Sequence, residues 1–365
     1  MSKGEVAIVG AGLAGCSAAL ELKKRNVDAE LFEAKKEGEF VRKRQLTGTS
    51  YVLSTVPKLI KPMHHMDGIT LETEKKCSGY EGNVGEIYEV CSPEGAEQML
   101  RNTLTEKGVK INYETHITSR EQLEEYKHII IADGYGSTLA KMYDMRDEEP
   151  YLISCALESI TRGEFEAGKV RMILDSKAAP GGYIYHLPWN EEKAFTVAFG
   201  MQPQVDERVA RENFRKYLDK RGWEVEDEWT EYEHFYHHPC YQKDNVYLAG
   251  AAGSFTCEFM GFGVYYSVET GLLCAQAITT GQNYEELLWK SVLKQLNVYK
   301  EAAPLMRNAG PKTHEYMVKF MGNFLAKYLV SNGKNVFKII NPLYPYAIAV
   351  GKAVSTVHKI LLKGK

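Results

Sequence analysis

The chain has 365 residues, 44% hydrophobic and 25% charged, which suits a globular protein long enough for two domains and a sizeable core. A formal charge of −3 and a pI near 6.4 give no electrostatic reason to expect nucleic acid, which favours a strongly basic surface. Seven scattered cysteines without a CxxC pair indicate neither a disulfide scaffold nor a zinc site, so no metal is expected and a reducing, cytoplasmic setting fits best.

Met1 to Gly4 lead straight into an apolar segment, so no export signal is expected. Glu5 to Val9 read as a short buried strand. Gly10-Ala11-Gly12-Leu13-Ala14-Gly15 follow as a glycine turn, and Cys16 to Leu22 read as a helix. In such a unit Gly10 permits the tight turn, Gly12 lets the backbone approach a pyrophosphate, and Gly15 lets the helix pack closely on the strand. Ala14 belongs to the same turn. The helix N-terminus then faces the phosphates with unpaired N–H groups. Asn26 is suited to the left-handed conformation that ends a helix. The second strand, Ala29 to Phe32, stops at Glu33, which is placed to accept ribose hydroxyl protons. An acid there disfavours a 2′-phosphate, which points to FAD or NAD rather than NADP.

Further along, Ile69 to Thr73 and Glu86 to Val90 alternate like strands with one wet face. Pro93 after Ser92 reads as a helix start, with Ala96, Met99, Leu100 and Leu104 as its apolar stripe and Gly108 as its stop. Val109 to Tyr113 and His128 to Ile131 read as strands, the second ending in Ala132-Asp133-Gly134. More strands are expected at Lys169 to Leu174, Gly182 to Leu187 and Ala194 to Gly200, with a helix from Asp206 to Arg221. Val246 to Ala249 reads as a buried strand, Val264 to Ile278 as a helix, and the tail from about Tyr284 as helical throughout. The longest uncharged stretch of the tail, Ile339 to Gly351, is broken by Pro342 and Pro345 and is shorter than the roughly 20 apolar residues of a spanning helix. No membrane crossing is expected.

Three separated segments resemble the aromatic-hydroxylase-like flavoprotein superfamily and, within it, the geranylgeranyl reductase family of FAD-dependent oxidoreductases. The glycine turn with Glu33 comes first, followed by Arg42, Arg44 and Gly48 where that superfamily has an Arg-containing flavin loop. Ala132-Asp133-Gly134-Tyr135-Gly136-Ser137 is similar to its G-A-D-G-x-x-S stretch, with Ile131 in place of the leading glycine. Leu248-Ala249-Gly250-Ala251-Ala252 through Gly261-Phe262-Gly263-Val264-Tyr265-Tyr266 is similar to L-V-G-D-A-A…G-x-G-I-Y-Y. The resemblance implies FAD, with the amides around Gly261, Gly263 and Val264 at a helix start facing the flavin ring. It also implies an aspartate where this chain has Ala251, so one polar anchor is missing.

Tyr183-Ile184-Tyr185-His186-Leu187-Pro188 is similar to the reductase family's Y-x-W-x-F-P segment. Alternation puts Tyr183, Tyr185 and Leu187 on one face as an apolar wall for an isoprenoid or other apolar substrate, and His186 on the other in a structural role. The family's loop cysteine is absent, since the loop reads Arg44-Gln45-Leu46-Thr47-Gly48, and the resemblance names no catalytic residue. Residues 311 to 365 hold nine lysines and one acid, a formal +8 that leaves −11 on residues 1 to 310. Lysines interleaved with Phe320, Phe324, Val354 and Leu361 suit either a packed helical bundle or peripheral attachment to a membrane.

The expected architecture is α/β, with an α+β substrate domain. A Rossmann-like FAD-binding domain is assembled from 1–60, 91–150 and 241–283, a mixed-sheet substrate domain from 61–90 and 151–240, and a helical C-terminal region from 284–365. The expected activity is reduction of carbon–carbon double bonds in geranylgeranyl chains, with NAD(P)H or a protein carrier as electron donor. The fold equally hosts flavin monooxygenases and halogenases, and a nonenzymatic lipid-binding flavoprotein is a third reading.

Overall fold

The computed structural model describes residues 5–40, 45–48, 62–200, 206–258, 261, 263–307 and 310–319. In chain order its strands are β1 (Val6–Val9), β2 (Ala29–Phe32), β3 (Gln45–Gly48), β4 (His64–Glu72), β5 (Cys77–Glu89), β6 (Lys110–Asn112), β7 (His128–Ile131), β8 (Leu152–Arg162), β9 (Lys169–Ile173), β10 (Tyr183–Pro188), β11 (Lys193–Gly200), β12 (Glu224–Phe235), β13 (Gln242–Lys243) and β14 (Val246–Leu248). The helices are α1 (Leu13–Lys24), α2 (Ala96–Glu106), α3 (Thr138–Met142), α4 (Glu207–Lys220), α5 (Val264–Thr280), α6 (Tyr284–Leu288), α7 (Lys294–Arg307) and α8 over residues 311–319.

One sheet has the order β13-β14-β7-β1-β2-β6, parallel except where β13 joins β14. Its inner strands β1, β7 and β14 are buried almost throughout, as runs covered on both faces must be. The register aligns Val9 with Phe32 and Ile131, and Ile131 with Leu248. The residues after these strands therefore emerge together at one carboxyl edge. Helix α1 packs there on α5 through small residues, since a Cβ on Gly271 would come within 2.2 Å of the Ala14 carbonyl oxygen. Asn26 takes φ 60° after the last turn of α1, as expected.

Helix α2 starts at Ala96 behind Gly95, not at Pro93. The Gly95 N–H donates to the Ser92 carbonyl at 3.0 Å, so Ser92 to Gly95 form a turn that delays the helix by three residues.

The second sheet has the order β12-β8-β11-β10-β9-β4-β5-β3, antiparallel except where β4 joins β9. Strand β3, within the segment expected in the FAD domain, pairs with β5 in this second sheet. Helix α4, capped by the Asp206 carboxylate on the N–H groups of Arg208 and Val209, packs Phe214, Tyr217 and Leu218 on one face of the sheet. The other face carries Tyr183, Leu187, Phe195, Phe199 and Phe235, against which Met317 and Val318 of α8 pack.

The tail contains α6, a π-helical turn at Trp289–Leu293, α7 and α8. Among the described residues no helix is long and apolar enough to cross a membrane. Residues 320–365, including Lys352, Lys359 and Lys363, lie outside the described residues.

Candidate functional site

The glycine turn, Glu33, Asp133 and Gly250 come from four different segments and meet where β1, β2, β7 and β14 end. This is the crevice where open α/β sheets bind ligands. Gly10 has φ 100°, and a Cβ there would come within 2.3 Å of the Ala132 carbonyl oxygen. Gly15 is equally constrained, because its Cβ would lie 1.9 Å from the Gly10 carbonyl oxygen. Gly12 caps α1 without a side-chain hydrogen bond, which leaves the first-turn N–H groups of the helix to an incoming anion. These features fit a dinucleotide phosphate.

Glu33 is 7% exposed. Its Oε2 accepts the Ala11 N–H at 3.0 Å and its Oε1 accepts the Lys35 N–H at 3.1 Å. Arg101 of α2 reaches under the turn, donating from Nε to the Ala11 carbonyl at 2.9 Å and placing Nη2 3.7 Å from Glu33 Oε2. Arg101 is only 3% exposed, and sequence reasoning missed it because it falls beside the apolar stripe of α2. Its i, i+4 spacing from Glu97 was the available signal.

Asp133 is open to solvent, yet crowding by the surrounding protein pushes its carboxyl up to about 6, against a hydrogen bond with the Ser137 side chain. Gly134 beside it has φ 94°. Gly250 has φ 61°, donates its N–H to Thr270 Oγ1 at 2.9 Å, and leaves no room for a Cβ, which would stand 2.8 Å from the Ala14 Cβ. Ala251, next in this 3-10 turn, is half-buried.

Gly263 caps α5, again without a side-chain bond, and Val264 is the first residue of the helix. Gly261 has φ 69°, and a Cβ there would meet the Phe199 ring at 2.7 Å. This places Gly261 directly against β11 of the second sheet. A second link joins the sheets, for the Tyr151 hydroxyl donates to Oε1 of the buried Glu258. A third network holds the start of the loop: Ser254 Oγ accepts the Tyr236 N–H at 3.1 Å and bonds His238 Nε2 at 3.0 Å, while His238 Nδ1 donates to the Met145 carbonyl at 2.8 Å. Burial lowers the His238 pKa to about 4. Neither this network nor the Phe199 contact was anticipated, since both join residues far apart in the chain.

Tyr183, Tyr185 and Leu187 share one face of β10. Tyr183 and Leu187 are each 1% exposed, whereas Tyr185 is half-buried. The rings of Tyr183 and Tyr185 lie 5.8 Å apart, and Tyr183 lies 6.0 Å from Phe199. His186 points the other way, between Thr196 Oγ1 at 2.9 Å and Tyr217 Oη at 3.1 Å. Of the flavin loop, Gly48 pairs with Glu86 across β3 and β5; Arg42, Arg44 and Phe262 lie outside the described residues.

Residues 4–157 match the family model for pyridine nucleotide-disulphide oxidoreductases. No curated protein matches in sequence. Among solved structures, a geranylgeranyl bacteriochlorophyll reductase-like protein from Thermoplasma acidophilum is similar at a TM-score of 0.79 with 16% identity, covering 97% of this chain and 99% of that one. A p-nitrophenol 4-monooxygenase from Pseudomonas putida aligns at 0.68 with 14% identity, covering 90% and 97%. A flavin-dependent halogenase aligns at 0.66 with 16% identity, covering 98% and 78%.

Proposed function

We infer that this chain, which has the fold of FAD-dependent oxidoreductases, reduces carbon–carbon double bonds in geranylgeranyl or related isoprenoid chains carried by lipids or prenyl diphosphates. FAD is the cofactor that the glycine turn, Glu33 and the matched N-terminal domain support. When bound and reduced by the electron donor, it would supply hydride, with the accompanying proton from solvent or an acid. The N–H groups at the starts of α1 and α5 would receive the phosphates and the flavin edge and Glu33 would take the ribose, while Gly250 and Gly261 allow the close packing on Ala14 and Phe199 that brings these segments together.

The observation that carries the reading is the contact of Phe199 with Gly261. Phe199 pairs directly with Tyr183 across β10 and β11, as Val197 does with Tyr185. An apolar aromatic wall thus runs up to the flavin-edge loop, and an extended hydrocarbon lying along it brings a double bond to the cofactor while water is excluded. Tyr185 is the member of the wall with accessible surface, and Tyr183 and Leu187 back it. The marked likeness to a geranylgeranyl bacteriochlorophyll reductase-like protein supports the same substrate class.

The lysine-apolar tail suits peripheral contact with the membrane in which such lipids reside. The electron donor is NAD(P)H or a protein carrier. A visible spectrum of the purified chain, followed by mass analysis of co-purifying apolar molecules, tests the reading: flavin absorption with an isoprenoid supports it, and an aromatic small molecule in place of the isoprenoid contradicts it.

A further inference from the structure

Glu97 stands in the first turn of α2, and its Oε1 lies 3.4 Å from where a Cβ on Gly12 would be. A phosphate at the first-turn N–H groups of α1, which Gly12 leaves without a side-chain cap, would occupy the space beside this carboxyl. The Glu97 side chain is 17% exposed, while Arg101 one turn later is buried. Arg101 Nη2 lies 3.9 Å from Glu97 Oε2 and 3.7 Å from Glu33 Oε2, so a single guanidinium serves both carboxylates. Its Nε is committed to the Ala11 carbonyl. The other groups that act on Glu97 are the Cys91 thiol beyond β5, which hydrogen-bonds to it, Lys35 beyond β2, which also favours its charged form, and the Glu33 carboxylate, which opposes ionisation. Burial outweighs Arg101, Cys91 and Lys35 and holds the carboxyl above the ordinary range.

We propose that Glu97 is a cofactor-binding residue that works as a neutral acid: a dinucleotide phosphate seated at Gly12 accepts a hydrogen bond from the protonated Glu97 carboxyl, so that binding takes up one proton. The inference rests on the FAD reading and deepens it. A phosphate at Gly12 sets a new anion beside a carboxylate whose neighbouring cation is already shared, and a like charge at such range disfavours ionisation. Protonation removes the repulsion and converts Glu97 from an acceptor into an O–H donor. The proton comes from solvent on binding and returns on release; no bond of the nucleotide changes.

The test uses the full chain depleted of flavin, titrated with FAD and separately with ADP. Calorimetry in two buffers of different ionisation heat counts the protons. Above the titration of Glu97 in the free protein, which burial displaces upward, affinity for both ligands is expected to fall as pH rises, approaching about tenfold per unit. Uptake rises towards about one proton as pH passes above that titration. Glu97→Gln, a neutral donor of the same size, should lose the slope and bind more tightly than the parent at the alkaline end. An equal slope in parent and variant, or FAD binding without proton uptake, overturns the inference and leaves the cofactor reading standing. Failure of FAD and ADP to bind at any pH overturns both. If Glu97→Gln does not fold, as judged by circular dichroism, the proton count on the parent decides.

Discussion

Phe199 of β11 lies so close to Gly261 that a Cβ on Gly261 would come within 2.7 Å of its ring. Gly261 also holds φ 69°, a conformation that costs a residue with a Cβ about 1 kcal/mol or more. Gly261→Ala is therefore expected to destabilise the fold by about 1–3 kcal/mol and to weaken flavin retention. Phe199→Leu in the same chain should recover the part due to the clash but not the part due to the backbone. Additive losses in a double-mutant cycle monitored by thermal melting would show that the two residues do not press on each other.

At the other end of the crevice, Glu33→Ala removes the acceptor of the Ala11 N–H and a partner of the buried Arg101. Loss of a charge-assisted bond of roughly 1.5–3 kcal/mol weakens FAD binding by about one to two decades. Ala251→Asp is expected to act in the opposite direction, because it restores the aspartate that the resembling flavoproteins carry at this position of the 3-10 turn. Flavin fluorescence titration checks both. Unchanged affinity in a folded Glu33→Ala variant removes the ribose role, and weaker binding by Ala251→Asp removes the alignment behind it.

The His238 network makes the fold acid-sensitive. Its pKa is lowered from 6.5 to about 4 by burial, so the unfolded chain binds a proton that the folded chain does not. The stabilisation it contributes is complete above the unfolded value and is lost as pH falls from about 6.5 towards 4, with a limiting slope of about 1.4 kcal/mol per pH unit for one such group. His186 is displaced in the same direction by its burial, which adds to the acid loss. Urea unfolding at several pH values should show His238→Gln with a shallower acid slope than the parent; identical slopes would place the titration elsewhere.

What the sequence made legible is local. Gly10, Gly12, Gly15 and Glu33 could be read because a tight turn, a close approach and a strand end each demand a residue type at a fixed offset, and Asn26 announced a left-handed helix end in the same way. That Asp133 and Gly250 join them follows from the parallel register of β7 and β14, which the apolar runs allowed but did not specify. Arg101 stayed hidden because its i, i+4 spacing from Glu97 reads equally as an exposed ion pair until Ala11 and Glu33 are beside it. Strand β8 is buried on both faces, and because Ser154, Glu158, Ser159 and Thr161 are buried among its apolar residues it carries no period-2 signal. The Phe199–Gly261, Tyr151–Glu258 and His238–Ser254 contacts link segments that no sequence spacing relates. The helix start assigned to Pro93 failed because Ser92 and Gly95 close a turn first.

Tyr185 is the accessible residue of the aromatic wall, and the adenosine end of the cofactor crevice is built from other elements. Tyr185→Ala is accordingly expected to keep the flavin spectrum and flavin affinity while lipid reduction falls by about tenfold or more, the loss of a large buried contact being about 1.5–3 kcal/mol. Full activity in this variant would remove Tyr185 from the substrate site.

The central claim is tested most directly by mixing the chemically reduced protein with a geranylgeranyl lipid in the absence of oxygen and following both flavin absorbance and product mass. The account predicts that flavin reoxidises as the lipid gains about two mass units for each double bond reduced, with no requirement for oxygen. Reduced flavin that persists until oxygen is admitted, and then yields a hydroxylated or halogenated aromatic product, would contradict it.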